Sequence, residues 1–199
     1  MRPFPAAVYI LALFIFTLLA INAGFGAQRL DRVLLDVFRG LQSAPLDVPM
    51  RAVEFIGDTW PSIILPGMAA VWFWVKGYRR EALWLVTALA TVALAGAVVK
   101  GVVDRTRPDG GYFSFTSGHT GYFTVFCGFL FFRLKSIVSD QRWFTAWRWG
   151  LVMPAVLTGV SRLYFGVHWP TDVLGGFLLG VIVLVPVLWR LDYDDGTAT

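Results

Sequence analysis

The chain has 199 residues, of which 57% are hydrophobic and 15% charged, with a mean hydropathy of +0.65 and a formal charge of +4. Soluble domains carry about 25% charge, so this composition argues against a soluble globule and for a single membrane-embedded domain over residues 1–199. The positive balance does not read as a nucleic-acid surface, because the cations are scattered between apolar stretches instead of gathered on one face. Cys127 is the single cysteine; it lies in an apolar run, which leaves no disulfide framework or cysteine metal site within one chain and suits a small packing residue.

A first apolar stretch, residues 5–22, is close to the ~20 residues needed to cross the hydrocarbon core. Arg2 before it and Ala23, Gly24, Gly26 and Ala27 after it would also suit a cleaved signal peptide, but the stretch exceeds the usual ~7–15-residue apolar region, and a retained span is expected. Residues 25–58 are mixed. Leu30, Val33, Leu34, Val37, Phe38 and Leu41 fall at helical spacing, with Arg29, Arg32, Asp36 and Arg39 opposite, the pattern of a helix lying along a membrane surface. Further spans are expected at 61–75, 81–103, 118–132, 147–165 and 172–189, the second of the six carrying Pro66 and Gly67. The expected fold is therefore all-α: an integral membrane six-helix bundle with a surface helix after the first span. The acidic tail at 192–199 is expected to be a solvated end.

Three polar motifs interrupt this apolar chain. Lys100-x6-Arg107-Pro108 closes span 3, Thr116-Ser117-Gly118-His119 opens span 4, and Ser161-Arg162-x5-His168-x3-Asp172 joins spans 5 and 6; His119 and His168 are the only histidines. Two crossings, spans 4 and 5, separate the first pair of motifs from the third, so all three reach the same face. The opposite face carries Lys76, Arg79, Arg80, Arg133, Lys135, Arg142 and Arg148, whereas on the motif face Arg29, Arg32, Arg39 and Arg51 are diluted by Asp31, Asp36, Asp47, Glu54 and Asp58. The positive-inside rule then places the motifs outside the cytoplasm. Trp60, Trp143, Trp147, Trp169 and Trp189 fall near span ends and are expected to be interfacial anchors.

These residues suit phosphate. A phosphate ester presents up to two negative charges, which Lys100, Arg107 and Arg162 could surround, the arginines in bidentate fashion. Ser117 and Gly118 add a hydroxyl and an open backbone N–H at a helix N-terminus, which favours an anion. Taken singly, Lys100 or Arg162 is more often a snorkelling interface cation, and His119 could simply cap a helix. Their joint occurrence, in order and on one face of a membrane protein, points to function. No cluster of carboxylates suggests magnesium, and the histidines lack further ligands at a zinc-like spacing, so neither metal nor cofactor is expected.

The three motifs resemble those of the type 2 phosphatidic acid phosphatases, in their bacterial membrane lipid phosphatase branch. The family signatures are Lys-x6-Arg-Pro, Pro-Ser-Gly-His and Ser-Arg-x5-His-x3-Asp, and this chain departs from them at one position, where Thr116 replaces the proline and so loses its fixed φ. The resemblance implies that His168 attacks phosphorus to form a phosphohistidine, that His119 protonates the departing oxygen, and that Lys100, Arg107, Ser117, Gly118 and Arg162 bind the phosphate. Spacing alone leaves open which histidine does which; Asp172, in the first turn of span 6, is placed to orient His168. The implied substrate is a membrane lipid phosphate: phosphatidylglycerol phosphate and undecaprenyl diphosphate foremost, with phosphatidic acid and a lipid A phosphate as further candidates. The implied location is the bacterial cytoplasmic membrane, with an extracytoplasmic site. A lipid phosphotransferase would carry the same motifs, and a non-catalytic lipid-binding membrane protein is disfavoured by the intact His119, His168 and Asp172. Lipid-facing and partner-facing apolar surfaces look alike in sequence, so no oligomeric state is assigned.

Overall fold

The computed structural model describes the backbone of residues 4–137 and 141–197, with the side chains of 135–145 and 193–199 outside the description. Among the described residues the chain forms eight helices: α1 (Ala6–Gly24), α2 (Arg29–Gly40), α3 (Ala44–Ile56), α4 (Thr59–Val75), α5 (Arg79–Val103), α6 (Gly118–Ile137), α7 (Gln141–Tyr164) and α8 (Pro170–Thr197). Three of them, α1, α5 and α8, are long and apolar enough to cross a membrane, and α4 is a shorter apolar helix. Val8, Ile10, Phe14 and Ile21 on α1 and Leu83, Val86 and Leu94 on α5 are exposed, an apolar belt of the kind that marks a membrane-facing surface. The chain is a membrane protein.

Segment 25–58 differs from the single surface helix expected of it. Gly40 ends α2, the extended Ser43 starts α3, and a proline in the first turn of α3 suits a helix start. The resulting hairpin packs on the bundle, α2 against α7 and α8 and α3 against α7 and α4. Asp31 and Leu35, one turn apart on α2, are both buried.

The centre of the bundle is the crossing of α6 and α8. Glycine makes it possible: a methyl group at Gly176 would sit 2.6 Å from the Ser117 carbonyl oxygen, and one at Gly180 2.6 Å from Thr124 Cβ. Small residues four apart let two helix backbones approach in this way. The apolar core, with Phe73, Leu85, Phe129 and Leu191 fully buried, extends from Val92 and Phe123 near the motifs to the far end of the bundle.

At that far end the arginine expected as a loop cation, Arg133, is instead buried. It pairs with Glu81 at 2.7 Å and with Asp192 at 3.2 Å, so Asp192 is anchored as well and is not a free part of the tail. Trp60 and Trp147 are exposed, as anchors should be. Lys135, Arg142 and Trp143 lie outside the described side chains.

Candidate active site

The loop after α5 begins with Asp104 in the left-handed region (φ 43), which ends the helix. Two backbone bonds close the loop, Ser114 N–H to Arg105 O at 2.8 Å and Arg107 N–H to Gly111 O at 2.7 Å. Lys100 Nζ donates to Phe113 O at 2.8 Å, so its ammonium is folded back onto the loop that it precedes. Ser117 N–H donates to Asp172 O at 3.0 Å, which fastens the start of α6 to the start of α8. The neighbouring glycine serves the same approach, since a methyl at Gly175 would lie 2.6 Å from the Phe115 ring.

The link between α7 and α8 is equally constrained. Gly166 takes a positive φ of 66 just past α7, a conformation in which glycine terminates helices without strain. A Cβ there would also meet the Arg39 guanidinium at 3.0 Å. Pro170 opens α8, and the Asp172 carboxylate reaches back to accept the Trp169 N–H at 2.8 Å, capping the helix start that it shares with His168. Asp172 Oδ2 lies 3.5 Å from His168 Nδ1, long for a hydrogen bond but close enough to orient the ring. That contact leaves Nε2 as the free nitrogen.

These elements enclose a cavity of about 460 Å³ lined by Lys100, Arg107, Gly118, His119, Arg162 and His168, among others. The two histidines and three cations picked out by spacing therefore converge. Ser117 and Asp172 stand behind the wall. The buried Ser117 hydroxyl accepts a hydrogen bond from Thr120 Oγ1 at 2.9 Å, so it acts on the shape of the α6 start rather than as part of the lining. Thr116, at the position of the missing proline, is fully buried. Burial pushes the His168 imidazole below its ordinary range, against the opposing pull of the Asp172 carboxylate, which leaves the ring neutral near pH 7. A second cavity of about 330 Å³, lined by Ile63, Pro66, Gly67, Val86, Leu89 and Ala90, runs between α4 and α5 and shares Ala93 and Tyr122 with the first. No group of three or more His, Cys, Asp or Glu placed to hold a metal occurs among the described residues.

Sequence reasoning missed Arg105, which sits within the x6 spacer of the first motif. Its Nη1 donates to Asp172 Oδ1 at 2.6 Å and to Thr171 Oγ1 at 2.7 Å, and its Nη2 binds the Asp31 carboxylate and Gly26 O. Asp31, expected as a diluting surface acid, is instead fully buried and also accepts the Thr171 N–H at 3.0 Å. The readable signal was its place on α2, four residues before the buried Leu35 rather than on the arginine-bearing face. Trp169, expected as an anchor, donates its indole N–H to Thr106 O at 2.9 Å and stacks on Arg105. Glu54 pairs with Arg162 at 3.1 Å, another contact that spacing could not give.

A model of the PAP2 superfamily matches residues 81–195. Over 149 residues the chain is 32% identical to phosphatidylglycerophosphatase B of Bacillus subtilis (strain 168), covering 69% of this chain and 71% of that protein. It is 27% identical over 179 residues to a putative undecaprenyl-diphosphatase of Escherichia coli (strain K12), covering 81% and 85%. The fold is similar to the crystal structure of a transmembrane PAP2-type phosphatidylglycerolphosphate phosphatase from Bacillus subtilis, with a TM-score of 0.73 and 25% identity over 94% of this chain and 96% of that one.

Proposed function

The chain belongs to the PAP2 superfamily, and on that footing we propose that it is a membrane lipid phosphatase working through a phosphohistidine on His168. One observation carries the reading: both histidines and three cations, drawn from α5, the loop after it, α6, α7 and the link before α8, line one cavity. The phosphate oxygens are held by Lys100, Arg107 and Arg162, with the open Gly118 backbone at the start of α6. His168 Nε2 forms a bond to phosphorus as the P–O bond to the lipid breaks; the electron pair stays on the leaving oxygen, which takes its proton from His119. Water then attacks the phosphohistidine, gives its proton to His119, and inorganic phosphate leaves. The protein cations supply the charge stabilisation that phosphoryl transfer needs, without a metal.

In this reading residues 1–199 form one phosphatase domain, α1, α4, α5, α6, α7 and α8 cross the bilayer, and the site faces the extracytoplasmic side of the bacterial cytoplasmic membrane. The apolar cavity along α4 and α5 supports a substrate whose tail stays in hydrocarbon while its phosphate reaches the histidines. Phosphatidylglycerol phosphate, undecaprenyl diphosphate and phosphatidic acid are the candidates. The test is phosphate release by purified protein from this panel in detergent with excess EDTA. His168→Ala should abolish release while the protein still inserts and stays monodisperse; an active His168→Ala variant, or activity lost to EDTA and restored by magnesium or zinc, would overturn the mechanism.

A further inference from the structure

The three cations of the cavity lie on α5, the loop after it and α7, and the wall formed by the turn between α3 and α4 is built differently. The turn joining α3 to α4 contributes Gly57, Thr59 and Ser62 to the lining, and residues 54–62 contain no lysine or arginine. This turn lies against His119: a methyl at Gly57 would stand 3.0 Å from the His119 ring carbon Cδ2. Two carboxylates flank it. Glu54 Oε1 lies 3.1 Å from Arg162 Nη2, and Asp58 directly follows Gly57 in the turn.

Phosphoryl transfer runs in line, with the attacking and leaving atoms on opposite sides of phosphorus. With His168 attacking and His119 protonating, the leaving group emerges on the His119 side, beside Glu54 and Asp58. The leaving group of a phosphomonoester is an uncharged alcohol oxygen on carbon, and any hydroxyl that follows it meets Thr59 and Ser62. In a diphosphate the leaving group is itself a phosphate, which would bring its negative charge beside Glu54 and Asp58 while Lys100, Arg107 and Arg162 hold the phosphoryl group being transferred. Like charges set close together repel, and such repulsion is a means of rejecting a ligand.

From the Glu54–Arg162 pair and the packing of the Gly57 turn on His119, we propose that Glu54 and Asp58 make this site select lipid phosphomonoesters over lipid diphosphates. The proposal rests on the phosphatase reading above and narrows its substrate class. Glu54 has a second effect, because it pairs with the guanidinium that the phosphate must take over. Removing its charge frees Arg162 for either substrate, so discrimination is read from the ratio between substrates and not from either rate alone.

The test compares farnesyl phosphate with farnesyl diphosphate, which share one tail, measuring phosphate release in detergent with excess EDTA for the unaltered chain, Glu54→Gln, Asp58→Asn and the double variant. The expected kcat/KM ratio of monophosphate to diphosphate is at least tenfold for the unaltered chain, falling at least tenfold in the double variant. Partial misfolding scales both substrates together and leaves the ratio alone. A diphosphate turned over as well as the monophosphate, or a ratio unmoved by the double variant, overturns the preference while leaving the phosphatase reading intact. No release from either substrate by the unaltered chain, nor from any other lipid phosphate, overturns that reading and the preference with it.

Discussion

The Arg105 guanidinium holds two buried carboxylates, Asp31 and Asp172, whose side chains have no solvent exposure. Removing one partner of a buried ion pair costs about 3–5 kcal/mol, because the other is left charged and unpaired. Arg105→Ala strands two carboxylates and should lower the melting temperature in detergent sharply and cut phosphate release. Asp31→Asn strands none, since Arg105 keeps Asp172, and should lose well under half as much; equal losses would show that the charge balance is not what matters. The motif residues were legible because each motif is a short fixed spacing along consecutive positions, at a helix end and the turn beside it. Arg105 was not, because its partner Asp31 lies 74 positions away and only the folded hairpin brings the two together. The His168 environment gives a second prediction at this scale. The neutral ring is the nucleophile, so activity falls as pH drops through its pKa, and burial places that acid limb below the ordinary imidazole value of about 6.5. Asp172→Asn removes the carboxylate that opposes this shift, so the limb of kcat/KM should move further towards acid even as the rate falls. The same substrate in both profiles cancels the titration of the phosphate itself.

Among the elements, the crossing of α6 and α8 sets the site most directly, because Ser117 N–H meets Asp172 O there. Gly176→Ala would press a methyl into the Ser117 carbonyl oxygen, 2.6 Å away, and backbone on both sides can yield only by separating the helices. The expected cost is about 1–3 kcal/mol, with a fall in phosphate release, since the Ser117–His119 segment at the start of α6 moves relative to His168. Gly150→Ala on α7 is the matched control: nothing lies within 4 Å of a Cβ there, and the gain in helix propensity, up to about 1 kcal/mol, should leave the melting temperature level or slightly raised. Two equal losses would refute the packing argument. Hydrophobic runs revealed the long helices at sight, since apolar length is a property of one segment. The break between α2 and α3 was not visible in the same way, because the apolar spacing of α2 runs as far as Leu41 and the stop comes from Gly40, extended Ser43 and the proline that follows.

For the whole molecule, the position of the site relative to the membrane depends on how charge is distributed between the two ends of the bundle. At the site end Arg105 is buried, while Arg29, Arg32, Arg39 and Arg51 are exposed, Arg39 packing on Gly166 and Arg51 stacking over Phe165. At the far end Arg133 is buried too, while Lys76, Arg79, Arg80 and Arg148 are exposed, and in the proposed orientation the positive-inside rule sets them in the cytoplasm. With the buried Cys127 replaced by serine, single cysteines report the arrangement directly. Asp109→Cys, in the loop after α5, and Val167→Cys, at the cavity wall, should react with a membrane-impermeant maleimide added outside intact cells, and Lys76→Cys only after the membrane is opened. Labelling of Asp109→Cys and Val167→Cys from opposite sides would mean that α6 and α7 do not both cross, and the two histidines could not then share one phosphate. Labelling of all three from outside would remove the far end from the cytoplasm and the proposed orientation with it.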